Sequence, residues 1–221
     1  MKKVLLIIVA SVFSFSTAMA DVMVSAGLSF NQSVFAAEGR ERNYDYVGTI
    51  NTDITEYGAF EESYASVFAE VGNGIVGLGV SYVPSAISTP SNDSEQTQHA
   101  DGTTSVESVS AEFKDLTTLY AIARLPVWGV YIKAGMSKVD VDVTETNASA
   151  NYQDTDTDGY TIGIGIEKDL GGVGIRAEIT GHEFDDVNAN NGKGAGTADA
   201  NVIDVSEMIG ATATISIVKN F

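Results

Sequence analysis

Tyr160-Thr161-Ile162-Gly163-Ile164-Gly165-Ile166-Glu167 is followed by Asp169-Leu170-Gly171-Gly172 and then by Gly174-Ile175-Arg176-Ala177-Glu178-Ile179. The strict alternation on either side of a Gly-rich tetrad reads as strand, tight turn, strand. One face of each strand is branched aliphatic. The other is Thr and Gly with isolated charges at Glu167, Arg176 and Glu178. In a soluble sandwich the face opposite the core would carry charged or long polar groups to meet water. A face this small suits the cramped interior of a narrow closed barrel whose apolar face meets hydrocarbon.

The same alternation predicts eight segments in all. The other six are Val22/Val24/Ala26/Leu28/Phe30, Ala65/Val67/Ala69/Val71, Val76/Leu78/Val80/Tyr82, Leu116/Thr118/Tyr120/Ile122, Val130/Ile132/Ala134/Met136 and Ala211/Ala213/Ile215/Ile217. Connections alternate in length. Short turns fall at Gly72-Asn73-Gly74, Leu125 to Gly129 and Asp169 to Gly172, and long polar loops are expected at 37–62, 84–110, 138–158 and 183–204. The pattern predicts an all-β fold, an eight-stranded antiparallel up-and-down transmembrane β-barrel. Ten strands is the alternative, because Tyr44, Tyr46, Gly48 and Ile50 also alternate. Asp45 and Asn51 make 43–50 a poor lipid-facing strand, so an outer hairpin arm is expected there.

The chain opens with a basic pair, Lys2 and Lys3, an apolar run over 4–15, and Ala18-Met19-Ala20 as a small-x-small cleavage site. This predicts a signal peptide over 1–20 and a barrel domain over 21–221. The sequence carries 12 Lys plus Arg against 30 Asp plus Glu, a formal net charge of −18. Such a surface repels nucleic acid. There is no cysteine, which removes disulfide frameworks and thiolate metal or redox sites.

In architecture the chain resembles the small outer-membrane barrels of the outer membrane protein A and X type. Phe221, with Ile217 and Ile215 at alternate positions before it, looks like the signal read by the barrel-assembly machinery. Lys219 stands where many members have an aromatic residue. The resemblance implies an integral outer-membrane protein, with membrane lipid as its surroundings, the assembly machinery as a partner during insertion, and no cofactor.

Glu70, Lys133, Glu167, Arg176 and Glu178 form a predicted lumen charge cluster. It reads as a plug rather than a cation-selective lining, since the side chains of a narrow barrel fill it and an unpaired buried carboxylate is costly. The remaining acids fall mainly in the long loops, where hydration is the plain account. Asp154-Thr155-Asp156-Thr157-Asp158-Gly159 repeats the opening of an EF-hand loop, but its twelfth position is Gly165. Asp154, Asp156 and Asp158 are therefore at most a weak calcium or magnesium site. His99 and His182 are the two histidines, and no nucleophile motif accompanies them, so no catalytic residue is expected. Trp128, Tyr82, Tyr120, Tyr131 and Tyr160 lie near strand ends, and several of them are expected to supply an interface girdle.

The function expected is non-enzymatic: a barrel with long acidic extracellular loops in a structural or surface-interaction role, adhesion or receptor. An extracellular ligand or divalent cations at the loops are candidate partners. The alternative is a narrow channel for ions or small molecules. Passage of hydrophobic molecules would need an apolar lumen mouth, which polar loops do not provide.

Overall fold

The computed structural model describes residues 22–97, 104–126, 128–146 and 152–221. The expected signal peptide and His99 lie outside the described residues. Eight strands form the wall: β1 Met23–Tyr44, β2 Ile50–Gly72, β3 Val76–Tyr82, β4 Thr104–Arg124, β5 Val130–Thr146, β6 Thr155–Asp169, β7 Val173–Phe184 and β8 Asn201–Asn220. Each pairs antiparallel with its chain neighbour, and β8 returns to β1 from Ser25↔Asn220 to Asn43↔Asn201, which closes the ring. Short segments at Ile87–Ser88, Asn92–Thr97 and Val187–Asn190 add to the outer ends of β4 and β8. The count is eight. Residues 43–50 form the hairpin arm, with Asp45 accepting from the Val47 and Thr49 amides at 3.0 and 2.8 Å.

Below, on the short-turn side, the wall is inside-out. Leu28, Phe30, Leu78, Ile132, Ile162, Ile164, Ile179, Ile215 and Ile217 all face outward and are exposed, and no helix among the described residues is long and apolar enough to cross a membrane. An apolar belt of this extent on a closed ring is stable only against lipid. Ser25, Ser29, Asn31, Ser33, Thr161, Thr212 and Ser216 point inward and are buried.

The expected facing of β4 is reversed. Tyr120 and Ile122 are 3% and 2% exposed inside the barrel, and Leu119 is 65% exposed outside. Both parities of 116–123 are largely apolar, so alternation could not choose between them. The deciding residue is Arg124, which shares the parity of Tyr120 and ion-pairs inside. Tyr120 and Tyr131 accordingly leave the expected girdle, while Trp128 and Tyr160 are exposed.

The long loops are mostly not loops. β1 has 22 residues and β2 has 23, or about 70 Å at ~3.3 Å per residue, whereas a spanning strand needs about 9–11 residues. The upper halves stand clear of lipid, and there the polarity of the wall is the soluble one. Val139, Val141 and Val143 point inward between Lys138, Asp140, Asp142 and Thr144. In β4 and β8 the inward parity changes partway, and a bulge does it. β4 has Asp115 at φ 54 within the register shift at Lys114/Thr117, and β8 has Glu207 at φ 52 opposite the shift at Ala36/Glu38. An extra residue rotates each following side chain to the other face. Thr118, Tyr120 and Ile122 line the lumen below, Phe113 and Ala111 above; Thr212 and Ser216 below, Val205 and Ile203 above.

Candidate functional site

Three cations and three carboxylates meet across the lower lumen. Arg176 of β7 donates to both oxygens of Glu70 on β2, at 2.7 and 3.0 Å, and to Glu167 Oε2 on β6 at 2.8 Å. Arg124 of β4 reaches Glu70 Oε2 at 2.9 Å and Glu167 Oε2 at 3.7 Å. Tyr120 donates to Glu70 Oε1 at 2.8 Å. On the other side Glu178 accepts from Lys133, and from Tyr131 and Thr180, both at 2.8 Å. The aromatic rings also seat the cations: Arg176 Cζ lies 5.0 Å from the Phe68 centroid and 5.1 Å from that of Tyr131.

Glycine makes room for these rings. A Cβ at Gly79 would sit 2.5 Å from Tyr120, and one at Gly165 would sit 2.4 Å from Tyr131. All five charges expected in the lumen are in this layer. Arg124, Tyr120 and Tyr131 were not foreseen. Arg124 could have been found by its parity, since it is the charged residue nearest the second short turn.

Above the ions the lumen is lined by hydroxyls and amides. Ser29 pairs with Ser216 at 2.9 Å, Ser33 with Thr212 at 2.7 Å, and Asn31 bonds Ser66 and Thr214 at 3.0 and 2.9 Å. His182 lies inside as well, its Nε2 2.9 Å from Thr212 Oγ1 and its ring stacked on Phe184 at 6.3 Å.

Higher still the interior turns apolar. A cavity of about 480 Å³ is walled by Phe35, Ile87, Phe113, Val141, Val205 and Met208 among others, with Arg40, Glu41 and Glu56 also on its lining. Sequence reasoning missed it, and with it the apolar mouth taken to be lacking. On one side the wall is incomplete. β2 pairs with β3 only from Val67↔Tyr82 to Gly72↔Gly77, and above that level its ladder is made to β1 alone. The chain after β3 instead follows β4, through Val83, Ile87–Ser88 and Asn92–Thr97. The seam is filled by side chains: Tyr64, Val83 and Ile87 form a buried cluster with Phe35, Phe60, Phe113 and Leu116.

Asp156 and Asp158 lie on one outward face of β6 and both approach Lys138 of β5, while Asp154 precedes the strand. In an extended strand alternate side chains stand roughly 7 Å apart and cannot converge as they do in a calcium loop. Among the described residues no group of His, Cys, Asp or Glu could hold a metal ion. Ile215, Ile217 and Phe221 are exposed on the lower outer wall, and the Phe221 amide donates to the Val24 carbonyl at 2.9 Å.

The closed ring, the lipid-facing belt and the filled lower lumen define the class of the small eight-stranded outer-membrane β-barrels. No family model and no curated protein matches the sequence. Among solved structures the fold is similar to the outer membrane protein OprG from Pseudomonas aeruginosa, at 11% identity and a TM-score of 0.54, over 91% of this chain and 96% of that one. Matches at lower TM-scores include Neisserial surface protein A (10% identity, TM-score 0.39, 86% and 97% covered). Another is the attachment invasion locus protein Ail of Yersinia pestis (10% identity, TM-score 0.34, 84% and 98% covered).

Proposed function

We propose that this protein is a non-enzymatic outer-membrane receptor for a small apolar molecule, taken up in the outer lobe and released through the seam between β2 and the segment after β3. The observation that carries the reading is the cavity of about 480 Å³, within the roughly 300–1,000 Å³ typical of small-molecule sites. Its apolar lining favours a ligand without charge. Its floor is blind, because the Glu70–Arg176 layer fills the lumen beneath it. The seam, held by side-chain packing and not by a ladder, is the part of the wall that separates at least cost. Acids on the outside of the lobe keep it hydrated and out of the bilayer.

The test is titration of N-phenyl-1-naphthylamine into the refolded protein in lipid nanodiscs, against Val141→Phe, which pushes an aromatic ring into the cavity. Saturable binding weakened roughly tenfold or more in the variant supports the reading, as the loss of a filled apolar site requires. Equal binding by both sinks it. A narrow ion channel, the other reading, needs a water path past the ion layer; stepwise currents from the wild type in planar bilayers would favour it.

A further inference from the structure

Thirty acids against twelve bases leave few cations without a carboxylate nearby. Of the ten Lys and Arg among the described residues, eight make an ion pair: Arg40, Arg42, Lys114, Arg124, Lys133, Lys138, Arg176 and Lys193. Lys168 and Lys219 do not. Both are exposed, and both end an outward apolar column at the short-turn rim, Lys168 after Ile162, Ile164 and Ile166, and Lys219 after Ile215 and Ile217.

The register brings them to the two sides of one strand. Lys168 of β6 pairs with Ile175 of β7, and Lys219 of β8 pairs with Val173 of β7. Between them sits the turn 169–172. A Cβ built on Gly172 would be 3.4 Å from Lys219 Nζ, so that ammonium lies against the turn. The acid in the turn, Asp169, is engaged by the Gly171 and Gly172 amides, both at 2.8 Å. Leu170, Val173 and Ile175 are exposed around the pair, and Trp128 of the adjacent turn is 91% exposed.

We infer that Lys168 and Lys219 form a docking site for an anionic phospholipid headgroup of the leaflet at the short-turn rim, its phosphate between the two ammonium groups and its acyl chains along Ile166, Ile175 and Ile217. Each lysine held at the membrane surface favours anionic over zwitterionic lipid by about fivefold, and two lysines facing one headgroup combine that preference at a single lipid.

Trp128 is the one tryptophan in the chain, and Glu167, beside Lys168, donates its amide to the Gly129 carbonyl at 2.9 Å. Its fluorescence therefore reads the lipid at this site. The experiment reconstitutes the refolded protein in phosphatidylcholine vesicles and exchanges in either brominated phosphatidylglycerol or brominated phosphatidylcholine at equal mole fraction. Stronger quenching by the anionic lipid is expected, abolished in Lys168→Gln/Lys219→Gln and retained in Lys168→Arg/Lys219→Arg. Both side chains face outward, so heat-shifted gel mobility should stay that of the closed barrel. Equal quenching by the two lipids in the wild type overturns the inference, and so does a preference that survives the double Gln change.

Discussion

Arg176 is the residue on which the lower lumen turns, and its replacement by Met should destabilise the barrel by about 3 kcal/mol. Removing one partner from a buried ion pair costs roughly 3–5 kcal/mol, because the other is left charged in a low-dielectric site. The lower end applies here. Glu70 keeps Arg124 at 2.9 Å and Tyr120 at 2.8 Å, whereas Glu167 falls back on Arg124 at 3.7 Å. Met preserves the contact with Phe68 and Tyr131, so the loss is one of charge and not of volume. Adding Glu70→Gln to Arg176→Met should recover part of the loss, since the stranded carboxylate goes with it. The assay is urea unfolding in lipid vesicles, followed by Trp128 fluorescence, with the two single variants and the double variant closing a cycle. A cost under about 0.5 kcal/mol for Arg176→Met, the range of ordinary surface changes, refutes the reasoning: the layer would then be hydrated and the lumen open.

Other consequences are open to measurement. The Arg40 guanidinium, bonded to Asp53 at 2.7 and 2.6 Å, holds that carboxyl below the ordinary aspartate range. The pair thus supports the arm above the pH at which an unfolded aspartate ionises, and the support is lost as pH falls through the depressed folded value. Amide protection over 50–58, corrected for the intrinsic exchange rate at each pH, should fall on acidification below about pH 4, and Asp53→Asn should remove that acid dependence; an unaltered profile in the variant counts against the pair. Changing Asp154, Asp156 and Asp158 together to Asn should leave the thermal melt of the closed barrel in place, with or without millimolar calcium, and a calcium-dependent rise in the wild-type melt would restore the metal site. Phe221→Ala should reduce membrane-inserted protein several-fold in cells while refolding in detergent stays near normal. Unchanged insertion would remove Phe221 from the assembly signal.

The membrane-spanning half was legible because its two faces differ in kind. Ile162, Ile164 and Ile166 against Thr161, Gly163 and Gly165 admit one reading once the turn at 169–172 is seen. β4 was hard to read, because Leu119, Ala121 and Ala123 are as apolar as Tyr120 and Ile122, and the one mark of which set turns inward is the charge of Arg124, which shares the parity of Tyr120 and meets Glu70. The outer lobe was missed for a different reason. Its signal was present in Val139-Asp140-Val141-Asp142-Val143 and in Ile203-Asp204-Val205, alternation of the soluble kind with acids outside. The acids dominated the composition of those stretches and made them look like solvated loops. Bulges at Asp115 and Glu207 hid the continuity further, since each breaks the period that would have joined the lobe to the strand below. The floor was half legible: like and unlike charges of inward parity could be named, but Glu70 and Arg176 are 106 residues apart, and only ring closure makes them partners.

The claim that the outer lobe is a ligand site is tested most directly by locating a ligand in it. Crystals of the refolded protein exposed to a bromoalkane would give the bromine position by anomalous scattering. Bromine within the cavity, between Ile87, Val141 and Met208, is the result predicted here. Bromine on the lipid-facing belt alone, with the lobe holding ordered water, would contradict it.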